Sequence, residues 1–130
     1  GSAVLGRRTM ASFHERRRTI RVATNGQLHV ESEQKGPPLH LIDVGAGGFS
    51  AQAFSALPIG SVHSYRFTTP DRTWSAIFSA RTVYCRPESA DGRPTGRYVA
   101  GFCFVRTEPP AMQERLMSML DVVTGFVTFS

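Results

Sequence analysis

The sequence predicts an all-β domain with a terminal helix: a six-stranded antiparallel β-barrel followed by a C-terminal α-helix. Three observations carry this. Short apolar runs with period 2 recur between Gly- and Pro-containing turns from Ile20 to Val105. Helical periodicity appears in one segment only, after Pro109-Pro110. The 130 residues, 41% hydrophobic and 19% charged, are one domain's length and bury a core without disulfide or metal staples.

Taken in order, residues 1–15 read as a tag remnant, Gly1-Ser2, followed by a lead-in with no sustained period. The domain is expected over residues 16–124, with 125–130 as a tail. Ile20 and Val22 alternate with Arg21 as at a strand's start, Asn25-Gly26 is a hairpin turn signal, and Gln27 to Glu31 reads as the return strand. After a polar loop from Ser32 to Pro38, a strand from Leu39 to Asp43 enters a glycine-rich turn, and Phe49 to Phe54 leaves it. Leu57-Pro58-Ile59-Gly60 is another turn. The longest strands follow: Val62 to Thr68, Trp74 to Cys85 and Arg97 to Val105, with Arg86 to Gly96 as a polar loop. By parity Trp74, Ala76, Phe78, Ala80, Thr82 and Tyr84 share one face, and Ile77, Val83 and Cys85 the other.

Thr107-Glu108-Pro109-Pro110 is a helix start signal, with prolines where no amide hydrogen bond is lost. Met112, Leu116, Met119, Leu120 and Val123 then form one apolar stripe that must cover something, the mouth or side of the barrel being expected ahead of a partner groove, and Gly125 ends it.

Composition narrows the function. The net charge is +5, and Lys35 is the only lysine beside fourteen arginines, six of them within the first 21 residues. Arginine stacks on planar rings and forks onto phosphates or base edges, so an anionic partner is expected. No apolar run approaches the roughly 18 residues of a membrane span. Cys85 and Cys103, in apolar runs, read as buried free thiols of a cytoplasmic protein. The four histidines have no metal-ligand spacing with them, so no metal site or cofactor is expected. No nucleophile, base and orienter set and no phosphate loop is present, which argues against an enzyme.

Two constellations stand out. Arg17 and Arg21 are four apart, and in an extended segment they project to one side; Asp43 and Gly45 share a face in the same way. After Asp43 come three glycines in four residues, Gly45-Ala46-Gly47-Gly48, a turn open to close approach and equally readable as a simple tight β-turn. A guanine ring suits these groups. Its N7 and O6 accept from an arginine fork, its N1 and N2 protons suit a carboxylate, and its π-face holds a guanidinium. Arginines also neutralise phosphates.

Here the sequence resembles the PilZ domain family. That family's signature, Arg-x-x-x-Arg followed some tens of residues later by Asp/Asn-x-Ser/Ala-x-x-Gly, reads here as Arg17-Arg18-Thr19-Ile20-Arg21 and Asp43-Val44-Gly45-Ala46-Gly47-Gly48. The likeness extends to the strands ending at Arg86 and Val105 and to the closing helix. It implies a PilZ-like β-barrel that senses the bacterial second messenger cyclic di-GMP and performs no chemistry on it. Arg17 and Arg21 would hold guanine edges and phosphates, and Asp43, Gly45 and Gly48 would receive the other side of a guanine. The rearrangement of the arm would pass to a partner protein or neighbouring domain. Arg16, just before the first motif, implies two intercalated ligand molecules per chain.

Gly45 departs from the Ser/Ala of the signature and removes any hydroxyl contact, worth about 0.5–1.5 kcal/mol or roughly twofold to twelvefold in affinity. Two other readings stay open. One is a PilZ-like protein-interaction domain without nucleotide; the other is a basic barrel for single-stranded nucleic acid. The Gly-x-x-Gly of residues 45–48 matches an RNA-binding loop in letters, but that loop joins helices and this one is flanked by strands.

Overall fold

The computed structural model describes residues 21–24, 26–34, 36, 38–105 and 109–124. The expectations for residues 1–20, which include Arg16 and Arg17, for the cap at Thr107-Glu108 and for the tail lie outside them. Among the described residues there are seven strands: β1 (Val22–Ala23), β2 (His29–Ser32), β3 (Leu39–Val44), β4 (Gly48–Ala53), β5 (Val62–Thr68), β6 (Ser75–Ala90) and β7 (Arg93–Phe104). One helix follows, α1 (Pro109–Thr124). The sheet is antiparallel in the order β1-β3-β4-β7-β6-β5-β2.

The expected antiparallel all-β architecture with a terminal helix is present, and it differs from the expected six-stranded barrel only in detail: the curled sheet has seven strands among the described residues and is not closed by hydrogen bonds. Its edges are β1 and β2, and β2 curls round against β3 without a ladder between them. This also corrects the hairpin expected at Asn25-Gly26. Gly26 does turn the chain at φ 89°, but the two flanking strands part to opposite edges. Thr24 decides the direction. Its amide donates to the Ile42 carbonyl at 2.9 Å and its hydroxyl to the Leu41 carbonyl at 3.1 Å, so β1 is stitched to β3 before the chain can fold back.

The expected polar loop over 86–96 is strand. β6 and β7 continue as one long hairpin and meet at Asp91-Gly92, where φ is 53° and 76°. A two-residue Asp-Gly turn with both φ positive matches the right-handed twist of the strands it joins. Polar residues fill this stretch because the hairpin projects into solvent. Glu88 ties it down: it accepts from Gln52 Nε2 at 2.7 Å and from Thr95 Oγ1 at 2.9 Å. Those hydrogen bonds, the Gln52 bond first, hold its carboxyl below the usual carboxylate range.

Inside the curl, Phe49 sits at the centre, with no exposed surface. It stacks on Phe102 at 4.4 Å between centroids and meets Phe67 edge-on at 5.0 Å and Tyr65 at 5.5 Å. The helical stripe holds as read. Met112, Leu116, Met119 and Val123 are buried in the same core and Leu120 packs at its margin. α1 is further tied by the Trp74 indole, which donates to Ser118 Oγ at 3.1 Å, and Arg115 lies 5.5 Å over the Phe78 ring.

The parity expected along β6 fails at one place. A bulge between Thr82 and Tyr84 shifts the register, so Thr82 points in, Tyr84 is 38% exposed, and Cys85 instead packs on the core. The cysteines are free, as expected, but Cys103 is exposed rather than buried, because its neighbours Phe102 and Phe104 take the inward positions of β7.

Phe49→Ala should remove about 3–5 kcal/mol of stability. Against the roughly 5–15 kcal/mol typical of a domain, urea denaturation should show a largely lost or sharply lowered midpoint. A midpoint shift matching less than about 1 kcal/mol would contradict this central role.

Candidate functional site

The site grows from an irregularity in β3. Leu41 and Asp43 are two residues apart and by plain alternation would face the same way. Leu41 pairs with Ala51, yet Asp43 pairs with Ser50, the next residue back along β4, so Ile42 is an extra residue on its strand. This bulge leaves Leu41 buried, pushes Ile42 out to 36% exposure and turns the Asp43 carboxylate onto the outer face while Val44 stays in the core. Thr24 clamps the bulge through the two carbonyls named above.

On that face two groups converge on one oxygen. Ser50 Oγ donates to Asp43 Oδ1 at 2.7 Å, and an Arg21 terminal nitrogen lies 3.2 Å from the same atom. Ser50 is buried, which fixes the carboxylate's orientation. Arg21 and Asp43 remain accessible, with side chains 42% and 29% exposed. Neither contact uses Oδ2.

Of the sequence-predicted residues, the structure pairs Arg21 with Asp43 and, in the turn that follows, Gly45 with Gly48, both glycines being buried; Arg16 and Arg17 precede the described part. Ser50 was missed as a site residue. It was findable, because a hairpin that pairs Val44 with Phe49 must set Asp43 opposite Ser50.

The glycines of the turn have separate reasons. The Gly45 amide donates to the Gly48 carbonyl at 2.8 Å, so it closes the turn instead of pointing at a ligand. The Gly47 carbonyl accepts from the Phe104 amide at 2.9 Å, which pins the turn to β7. A Cβ at Gly48 would lie 1.9 Å from the Phe102 carbonyl oxygen. Strand packing alone therefore demands glycine at 48. Gly47 is exposed with open space around it.

A hollow of about 560 Å³ lies elsewhere, along β2 and β5, lined by His29, Glu31, Arg66, Thr68 and Arg72. Its Arg66 is already engaged, donating through Nε to Glu33 Oε1 at 2.8 Å. Glu31 further offsets its positive charge. The convergent polar groups are those of the Arg21–Asp43 cluster. Among the described residues no three His, Cys, Asp or Glu side chains are grouped to hold a metal, and no helix is long and apolar enough to cross a membrane.

No protein-family model matches the chain, and no curated protein matches it in sequence. Solved structures do match in fold. The PilZ domain of YcgR from Escherichia coli, determined with c-di-GMP, aligns at a TM-score of 0.62 and 15% identity, over 85% of this chain and 93% of that one. An uncharacterised Legionella protein aligns at 0.56 and 7% identity, over 82% and 96%. The PlzA protein of Borreliella burgdorferi, in complex with c-di-GMP, aligns at 0.51 and 8% identity, over 95% of this chain and 59% of that one. The chain thus has a PilZ-like fold, the expectation set by its two motifs.

The two glycines are separable by substitution. Gly48→Ala should cost roughly 1–3 kcal/mol or more, since β7 backbone must move to admit the methyl group. Gly47→Ala should change stability by no more than about 0.5 kcal/mol. Thermal or urea unfolding of both variants checks this, and equal effects would overturn the packing account of Gly48.

Proposed function

We propose that this domain binds cyclic di-GMP on the outer face of the sheet, at Arg21, Asp43 and the turn that follows. The observation that carries the reading is the outward carboxylate of Asp43, oriented by Ser50 and paired with Arg21, on a fold shared with c-di-GMP-bound PilZ structures. The chemistry fits a guanine. Its N1 and N2 protons would be taken by Asp43, whose Oδ2 has no part in the Arg21 and Ser50 contacts. The Arg21 guanidinium, released from Asp43, would fork onto N7 and O6 or stack on the ring. Arg17 and Arg16, a few residues earlier, would neutralise the phosphates.

The ligand leaves unchanged, so the output is structural. β1 pairs over only two residues, Val22 with Val44 and Ala23 with Asp43, and α1 packs against it. Drawing Arg21 and the preceding arginines onto a ligand would bear on β1 and so on the helix, the route by which a partner protein or adjoining domain would sense occupancy. The reading places the domain in the cytoplasm, where the free thiols of Cys85 and Cys103 persist.

Arg21→Ala and Asp43→Ala should each weaken cyclic di-GMP binding at least tenfold in calorimetry, because each removes a charge-assisted contact of roughly 1.5–3 kcal/mol. Both lie on the surface, so circular dichroism should show the fold intact. Folded variants with unchanged affinity would count against this site and favour a protein-interaction domain without nucleotide.

Stoichiometry tests Arg16. Two intercalated ligands bring a second pair of phosphate charges and another guanine face, which an added arginine can neutralise or stack upon. Calorimetry should give two ligands per chain, and Arg16→Leu should give one. A single ligand on the unmutated protein at saturation would exclude the pair.

A further inference from the structure

The helix α1 covers one end of the curled sheet. It packs on β1, and β1 pairs with Val44, the last residue of β3. Leu39, the first residue of β3, stands at the other end, and there a second hollow of about 150 Å³ opens between β3, the β4–β5 connection and β5. Ser32, the last residue of β2, lies on its rim, where β2 runs beside β3 without a ladder.

The walls of this hollow are apolar and its floor is polar. Leu39, Leu57 and Pro58 form the walls, and the two leucines also pack against the core. The deepest lining residues are Tyr65 and Thr82, 4% and 1% exposed. The Tyr65 ring meets Phe49 and Phe102 edge-on, and its hydroxyl has the Thr82 hydroxyl as hydrogen-bond partner. Burial pushes the phenol up from its ordinary range, against the smaller opposing effect of Thr82, so it is protonated at neutral pH. Two hydroxyls bonded to each other use one of their two protons, and the second can serve a third acceptor. An all-apolar cavity of roughly 150 Å³ stays dry and takes up benzene. Here a hydroxyl pair is added to a space of that size.

We infer that this end of the sheet binds a free, neutral small molecule, a single ring bearing one hydrogen-bond acceptor, with the ring between Leu39, Leu57 and Pro58 and the acceptor on the Tyr65–Thr82 hydroxyl pair. Clefts for drug-sized ligands run to roughly 300–1,000 Å³, so the hollow admits one ring and excludes a dinucleotide. The inference is therefore independent of the function proposed above, whose residues lie at the opposite end of β3.

Phenol and toluene are the probes, equal in size and differing in a hydroxyl for a methyl group. Titration of the unmutated protein followed by amide NMR should show saturable shifts at Leu39, Leu57 and Tyr65, with a dissociation constant for phenol on the order of millimolar, as suits so small a ligand. Toluene should bind more weakly by about twofold to twelvefold, the range of one net hydrogen bond. Tyr65→Phe should remove the preference for phenol, and Thr82→Val, which takes away the other hydroxyl, should do the same and gives the reading if Tyr65→Phe does not fold. Equal binding of phenol and toluene to the unmutated protein would overturn the role of the hydroxyl pair. No saturable shift at these amides at phenol concentrations well above the expected constant would overturn the site itself, and either result leaves the Asp43 site standing.

Discussion

The extra residue at Ile42 is the constraint on which the site depends. Without it Asp43 would follow Leu41 into an aromatic core, where a carboxylate without a charged partner is costly to bury. With it, one strand supplies both a core leucine and an outward acid within three residues. Thr24 holds the bulge through two backbone carbonyls, and the same contact fixes where β1 ends. Arg21 stands three residues before Thr24, so the clamp that exposes the carboxylate also delivers the cation to it. Ser50 completes the arrangement from the facing strand. The acid is thus oriented by backbone geometry and by a buried hydroxyl, and it does not rely on the long, mobile arginine.

The core and the outer face are coupled through small residues. Phe49 and Phe102 stack because β4 and β7 approach closely, and that approach leaves no room for a Cβ at Gly48. On the far side of the same strands, Gly101 accepts the Tyr84 ring. Bulk on the inner face and its absence on the outer face are two consequences of one strand pairing.

The sequence was most legible where signals are local. The helix stripe of Met112, Leu116, Met119 and Val123, the strand Val62–Thr68 and the two short motifs all rest on spacing within a few residues, and the described structure keeps those it covers. Legibility failed where one residue changes parity. The bulges at Ile42 and Val83 reverse which side chains face in, and nothing in alternation alone marks an inserted residue. Long-range pairing was also hidden: Asn25-Gly26 has the letters of a hairpin, but Thr24 is captured by a strand seventeen residues away. Asp91-Gly92 had equally good letters, and the polar residues around it masked strand that projects into solvent. At the site, the acid and the near arginine were readable, whereas Ser50 required the register of the turn.

The strength of the Arg21–Asp43 contact decides how a ligand would use it. Both side chains are partly exposed and the single approach is 3.2 Å, so the pair belongs with surface ion pairs, worth about 0–1 kcal/mol net. A charge-assisted hydrogen bond to a ligand is worth roughly 1.5–3 kcal/mol. On the proposed function, exchange of one for the other would therefore be downhill for each group, and the Ser50 bond would keep the carboxylate in place while Arg21 left. Were the pair buried, breaking it would cost several kcal/mol and would set a barrier against binding. Placed at the surface, it would serve the proposed function as a stand-in, keeping a guanidinium near the carboxylate and releasing it at little cost. The bulge that turned Asp43 outward thus also sets the energetic condition under which the site can exchange partners.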